Sequence, residues 1–90
     1  MKVKYFATYR DITHRNDEVI AAPENVLDLL TCLCDRYDGF RVKLLTKDGS
    51  RVGEETIILV NGRNICHIGG VTTHLKESDT VSVFPVVAGG

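Results

Sequence analysis

The chain has 90 residues, 43% of them hydrophobic and 26% charged, with a formal net charge of -1. A chain of this length holds one core, not two, and buries only about 60–65% of its unfolded surface. Its 11 basic and 12 acidic residues leave no cationic excess to draw in nucleic acid, and no apolar run approaches the roughly 20 residues of a membrane span.

Val3, Tyr5, Ala7 and Tyr9 alternate with Lys2, Lys4, Phe6, Thr8 and Arg10, a period of two that predicts a strand with one buried face. The first residues lack the apolar core of a signal peptide, so a cytoplasmic protein is expected. Residues 11–16 are polar and suit a turn, and residues 17–22 suit a second strand in a hairpin with the first. Pro23-Glu24-Asn25 stops that strand. Asn25 is a good helix N-cap, with Asp28 three positions later as in a capping box. Val26, Leu29, Leu30, Leu33 and Tyr37 follow at helical spacing, widened by Leu27 and Cys34. This predicts an amphipathic helix of about three turns laid on a sheet. Asp38-Gly39 is expected to end it, with glycine as a left-handed cap.

Residues 40–45 fit either a short helix or an extended connector, and Lys47-Asp48-Gly49-Ser50 signals a turn. A strand follows at 55–60, whose run Ile57-Ile58-Leu59-Val60 is apolar on both faces, as suits a central strand. Asn61-Gly62 accepts the positive φ of a tight turn, and residues 63–65 suit a short return strand. Gly69-Gly70 marks a loop and residues 76–79 a turn. The last strand is expected at 80–86, with Val81, Val83 and Pro85 facing one way. Two hairpins flanking one helix require a mixed sheet, in which the first and last strands can pair in parallel at the centre.

Cys32, Cys34 and Cys66 are too few, and odd in number, for a disulfide scaffold. Cys32 and Cys34 point to different sides of a helix, and Cys66-His67 has no second pair to complete it, so no metal site is expected. His14, His67 and His74 fall on loops, without the partners of a nucleophilic triad. Gly69-Gly70 lacks the flanking pattern of a phosphate-cradling loop. No cofactor is therefore expected on this chain.

Three stretches carry a resemblance: Val3-Lys4-Tyr5-Phe6-Ala7-Thr8-Tyr9-Arg10, Leu59-Val60-Asn61-Gly62, and the close from Leu75 through Phe84-Pro85-Val86-Val87-Ala88-Gly89-Gly90. In this order they resemble the small subunit of molybdopterin synthase, especially its archaeal-type branch, which grades into the small ubiquitin-like modifiers. The resemblance covers essentially the whole chain. It implies an α+β protein with the ubiquitin-like β-grasp fold, a mixed sheet of four to five strands and one main helix. The β-grasp domain would span residues 1–84, and residues 85–90 would form a flexible tail ending in Gly-Gly.

The resemblance further implies that an E1-like adenylating enzyme uses ATP to activate the carboxylate of Gly90. Sulfide delivery then gives a thiocarboxylate, so the protein would act as a co-substrate and not as a catalyst. Gly89 and Gly90 have no Cβ and suit a narrow channel. The five residues from Val86 onward reach at most about 17 Å. Many family members carry Phe-Pro-Pro where this chain has Phe84-Pro85-Val86, so a slightly less rigid tail is expected.

Phe6 falls in the polar register of the first strand and is expected to point to solvent between Lys4 and Arg10. Phe84, alternating with Val83, is expected to point outward too. The resemblance assigns Phe6, Arg10 and Phe84, with Pro85 beside them, to contacts with the larger synthase subunit or the activating enzyme. Its leading implication is a sulfur carrier for molybdopterin, the ligand of molybdenum or tungsten cofactors. The alternatives are a modifier joined through Gly90 to target lysines, a sulfur donor for tRNA thiolation or another pathway, and an interaction module with an inert tail.

Overall fold

Val3 and Tyr5 are buried and Lys2 and Lys4 exposed along β1 (Lys2–Tyr5), the alternation of a strand that covers a core with one face. The computed structural model describes residues 1–86; Gly89 and Gly90 lie outside the described residues. In it, β1 pairs antiparallel with β2 (Asp17–Val19) and parallel with β5 (Thr80–Pro85). On its other side β5 pairs antiparallel with β3 (Thr56–Val60), which carries the two-residue β4 (Arg63–Asn64) at the edge. The order β2-β1-β5-β3-β4 puts the parallel pair inside the sheet, as the sequence predicts. Helix α2 (Val26–Arg36) buries Val26, Leu29, Leu30 and Leu33 in the same cluster as Val3, Tyr5, Ile58, Val60, Val81 and Val83.

The caps and turns are made by the residues whose chemistry suits them. Asn25 Oδ1 accepts the Asp28 N–H at 2.9 Å and starts α2. Asn61 and Gly62 both take positive φ, 52° and 84°, at the β3–β4 turn. Asn61 also ties that turn to β5. Its Nδ2 donates to Asp79 Oδ1 at 2.8 Å, and its Oδ1 accepts the Thr80 N–H at 2.9 Å.

Two expectations are corrected. The first strand ends at Tyr5 and does not run to Arg10. Ala7 takes φ 52°, ψ -131° and turns the chain into a six-residue helix, α1 (Thr8–Thr13), which also replaces the first half of the turn expected at 11–16. Tyr5 and Tyr9 are both buried, and positions four apart share a side at period two and on a helix alike, so alternation could not separate the two. Gly39, in turn, is not a left-handed cap. Helix α2 ends at Arg36, Tyr37 is extended at φ -129°, and Gly39 lies within a 3-10 turn (Asp38–Phe40). Glycine is needed there for space, because a Cβ would stand 2.9 Å from Cγ2 of Ile12 on α1.

Glu18, only 7% exposed, is the inward residue of β2. Its Oε2 accepts the hydroxyls of Tyr5 and Tyr37, each at 2.6 Å. Its Oε1 faces Arg36 Nη2 at 3.3 Å and Arg15 Nη1 at 3.6 Å. One carboxylate thus joins β1, β2 and the C-terminal end of α2. Burial pushes this carboxyl up, but the Tyr37 and Tyr5 hydroxyls and the two guanidinium charges outweigh it and hold it below its ordinary 4.5. Burial, then the carboxylate itself, push both phenols up, so they remain donors at neutral pH.

A carboxyl held low in the folded state adds stability above about pH 4.5, and that stability disappears as the pH falls through the lowered value. Glu18→Gln is expected to cost about 2 kcal/mol at pH 7, mostly through the two phenol bonds, because the arginines are half exposed. Urea unfolding at a series of pH values checks this. The difference between wild type and variant should shrink as the pH falls from 6 to 3; a constant difference would refute the assignment.

Candidate functional site

The face of the sheet away from α2 is set by the strand alternation. It carries Lys2 and Lys4 from β1, Ser82 and Phe84 from β5, and Ile57 and Leu59 from β3. The register places Ile57 opposite Phe84 and Leu59 opposite Ser82 across the β3–β5 pair. Lys4 is likewise opposite Ser82 across the β1–β5 pair. Phe6 follows directly on Tyr5, whose partner is Val83, so it arrives beside Phe84. The two rings stack with centroids 4.1 Å apart and planes 11° from parallel.

That stack modifies the expectation of two separate rings in solvent. Each phenylalanine is half-buried, because each covers a face of the other. Such a pair is worth about 0.5–1.5 kcal/mol beyond the area it buries. Arg10 lies on α1 and not on a strand, and α1 packs beside β5. Its backbone is fixed, with its N–H on the Ala7 carbonyl at 3.1 Å and its carbonyl accepting the His14 N–H at 2.7 Å. Its side chain is exposed and enters no ion pair among the described residues.

Pro85 is tolerated in β5 for a specific reason. The Val83 carbonyl accepts the Phe6 N–H at 3.2 Å, so odd positions of β5 face β1; the Val86 N–H donates to the Glu55 carbonyl at 2.7 Å, so even positions face β3. The donor that Pro85 lacks would point toward β1, beyond the place where the chain has already turned away into α1. The sheet therefore holds the chain through Pro85 and Val86, past Phe84, where the sequence reading ended the domain. The Val86 bond is also one that a proline at that position could not make.

The structure thus brings Phe6, Phe84 and Pro85 together at one end of the open face, with Arg10 on the neighbouring helix. The residues missed from sequence are Ile57 and Leu59, which extend the apolar surface beside Phe84. Their signal was present: the run 57–60 is apolar on both faces, and its second face is this half-exposed one. Chemically the surface offers apolar area beside cations, which suits binding and not bond breaking. Among the described residues no three His, Cys, Asp or Glu side chains converge as a metal site, and no helix is long and apolar enough to cross a membrane.

Comparison with known proteins bears on this surface. The ThiS family pattern matches residues 3–90. The chain is 36% identical over 92 residues to small archaeal modifier protein 3 of Haloferax volcanii, covering 100% of this chain and 98% of that one. It is 30% identical over 88 residues to the molybdopterin synthase sulfur carrier subunit of Phaeosphaeria nodorum, covering 98% and 88%. The solution structure of small archaeal modifier protein 1 from Methanosarcina acetivorans superimposes with a TM-score of 0.85 at 34% identity, covering 99% and 94%. The chain therefore belongs to the ThiS family, as a ubiquitin-like β-grasp protein of the sulfur-carrier and small-modifier kind.

Proposed function

We propose that the chain is a sulfur carrier for molybdopterin synthesis, with the carboxylate of Gly90 as its working group. An E1-like partner supplies the ATP site; this chain binds no cofactor. The Gly90 carboxylate attacks the α-phosphorus of ATP and pyrophosphate leaves. A sulfide-level nucleophile then attacks the acyl carbon of the adenylate and AMP leaves. The product is a thiocarboxylate, which donates its sulfur for the dithiolene at the larger synthase subunit. Activation is needed because a carboxylate oxygen is a poor leaving group and AMP is a good one.

The observation that carries this reading is the family match over residues 3–90, which takes in both the open sheet face and the Gly-Gly end. The sheet geometry supports the docking half of it. The Phe6–Phe84 stack stands at the root of the approach to Gly90, with Arg10, which enters no ion pair among the described residues, exposed on the adjacent helix to meet an acidic group of a partner. Docking there leaves Gly89 and Gly90 to enter the partner's active site.

A second reading, a modifier, is favoured by the 36% identity to a small archaeal modifier protein across the whole chain. In that case a lysine amine of a target attacks the activated Gly90, and an isopeptide bond replaces the acyl–leaving-group bond. Intact-mass spectra from the native host separate the two. Exchange of one terminal oxygen for sulfur is expected of the carrier, and Gly-Gly remnants on lysines of other proteins of the modifier. Neither signal, with the activating enzyme present, would overturn both.

Phe84→Ala and Phe6→Ala should each weaken the complex with the larger synthase subunit by about tenfold or more, measured by calorimetry. Because the rings stack on one another, the double variant should cost less than the sum of the two. Val42→Ala, at an 84% exposed position in the loop before β3 and outside the sheet, should leave affinity unchanged.

A further inference from the structure

We infer that the Glu55 carbonyl, held by the hydroxyl of Tyr9, is a positioning clamp that sets where the C-terminal segment leaves the sheet, and hence how far Gly90 reaches. This rests on the reading of Gly90 as the activated group. The Glu55 carbonyl accepts the Val86 N–H at 2.7 Å and lies 3.2 Å from the Tyr9 hydroxyl. That hydroxyl is also 2.7 Å from Thr56 Oγ1, which donates its own proton to the Lys43 carbonyl at 2.7 Å. Thr56 Oγ1 must then accept from Tyr9, whose single proton is shared between Thr56 Oγ1 and the Glu55 carbonyl. Tyr9 is 2% exposed, with its ring edge-on to Phe40 at 5.3 Å, so the hydroxyl has little freedom to move. Burial pushes its phenol up, which keeps it a donor at neutral pH.

The clamp joins parts that act together in docking. Tyr9 is adjacent to Arg10 on α1, and Val86 follows Phe84-Pro85. Both are fastened to the first turn of chain entering β3. Beyond Phe84 the segment has a sheet neighbour on the β3 side only, so the Val86 bond is the last backbone hydrogen bond among the described residues. Residues 87–90 follow, a reach of at most about 14 Å from this pivot. A proline at 86 removes the donor and moves the last donor on that side of β5 back to Phe84, because only the even positions of β5 face β3. The segment gains two residues, or about 7 Å, of slack.

The test uses the full chain and two readouts. Hydrogen exchange followed by NMR is expected to show the Val86 amide protected in the wild type and exchanging at least about threefold faster in Tyr9→Phe. ATP–pyrophosphate exchange with the activating enzyme reads the reach. Removing Ala88 shortens the segment and should lower kcat by about tenfold with KM nearly unchanged, since the docking face is intact. Adding Val86→Pro to that deletion should restore kcat at least about threefold, whereas Val86→Ala, which keeps the N–H, should not. A Val86 amide that exchanges as in an unstructured peptide, or a proline that fails to restore kcat, overturns the clamp. If the wild type supports no pyrophosphate exchange, the reading of Gly90 fails, while amide protection still decides whether the clamp exists.

Discussion

The parallel pairing of β1 with β5 is the constraint on which the rest of the molecule depends. Strands from opposite ends of the sequence lie side by side and point the same way, Val3 against Val81 and Tyr5 against Val83. A parallel pair cannot be closed by a tight turn, so the intervening chain has to cross over, and α2 is the element that does so while sealing the core. Because the two strands run together, the residues that follow them emerge together. Phe6 and Phe84 meet for that reason, and α1 starts beside the place where β5 ends.

Polar groups at the margins of the core hold this arrangement in register. Glu18 draws two phenols and two guanidinium groups to the β2 edge of the sheet. The Tyr9–Thr56–Lys43 chain of hydrogen bonds fastens α1 to the start of β3. Among the described residues no buried side-chain nitrogen or oxygen lacks a partner. In a small domain the hydrophobic core leaves little surplus, and an unmet buried hydroxyl or carboxylate would cost a sizeable share of it. The same networks that stabilise the fold also orient the segments that lead to the proposed docking face and to Gly90.

The proposed role as a reagent sets requirements unlike those of an enzyme. It needs a body that a partner can grip and an end that the partner can process. The open face offers apolar area from Phe6, Phe84, Ile57 and Leu59 beside the cations of Lys2 and Lys4. Val86 is held by the sheet through its own N–H.

The sequence alone determined the features that local chemistry decides. Asn25 as a helix cap, the apolar stripe of α2, the positive-φ turn at Asn61-Gly62, the mixed sheet with its parallel pair and the shared outward register of Phe6 and Phe84 were all legible in it. Each follows from side-chain periodicity or from a residue's own backbone preference. Tertiary structure alone decided the features that depend on distant partners. These are the turn at Ala7 into α1, the demand for glycine at position 39 set by Ile12, the burial of a charged Glu18, and the bond from Val86 to Glu55. Periodicity places Tyr9 on the inner side whether it belongs to a strand or a helix. Only the presence of Phe40 and Thr56, more than thirty positions away, makes the helix the better way to bury it.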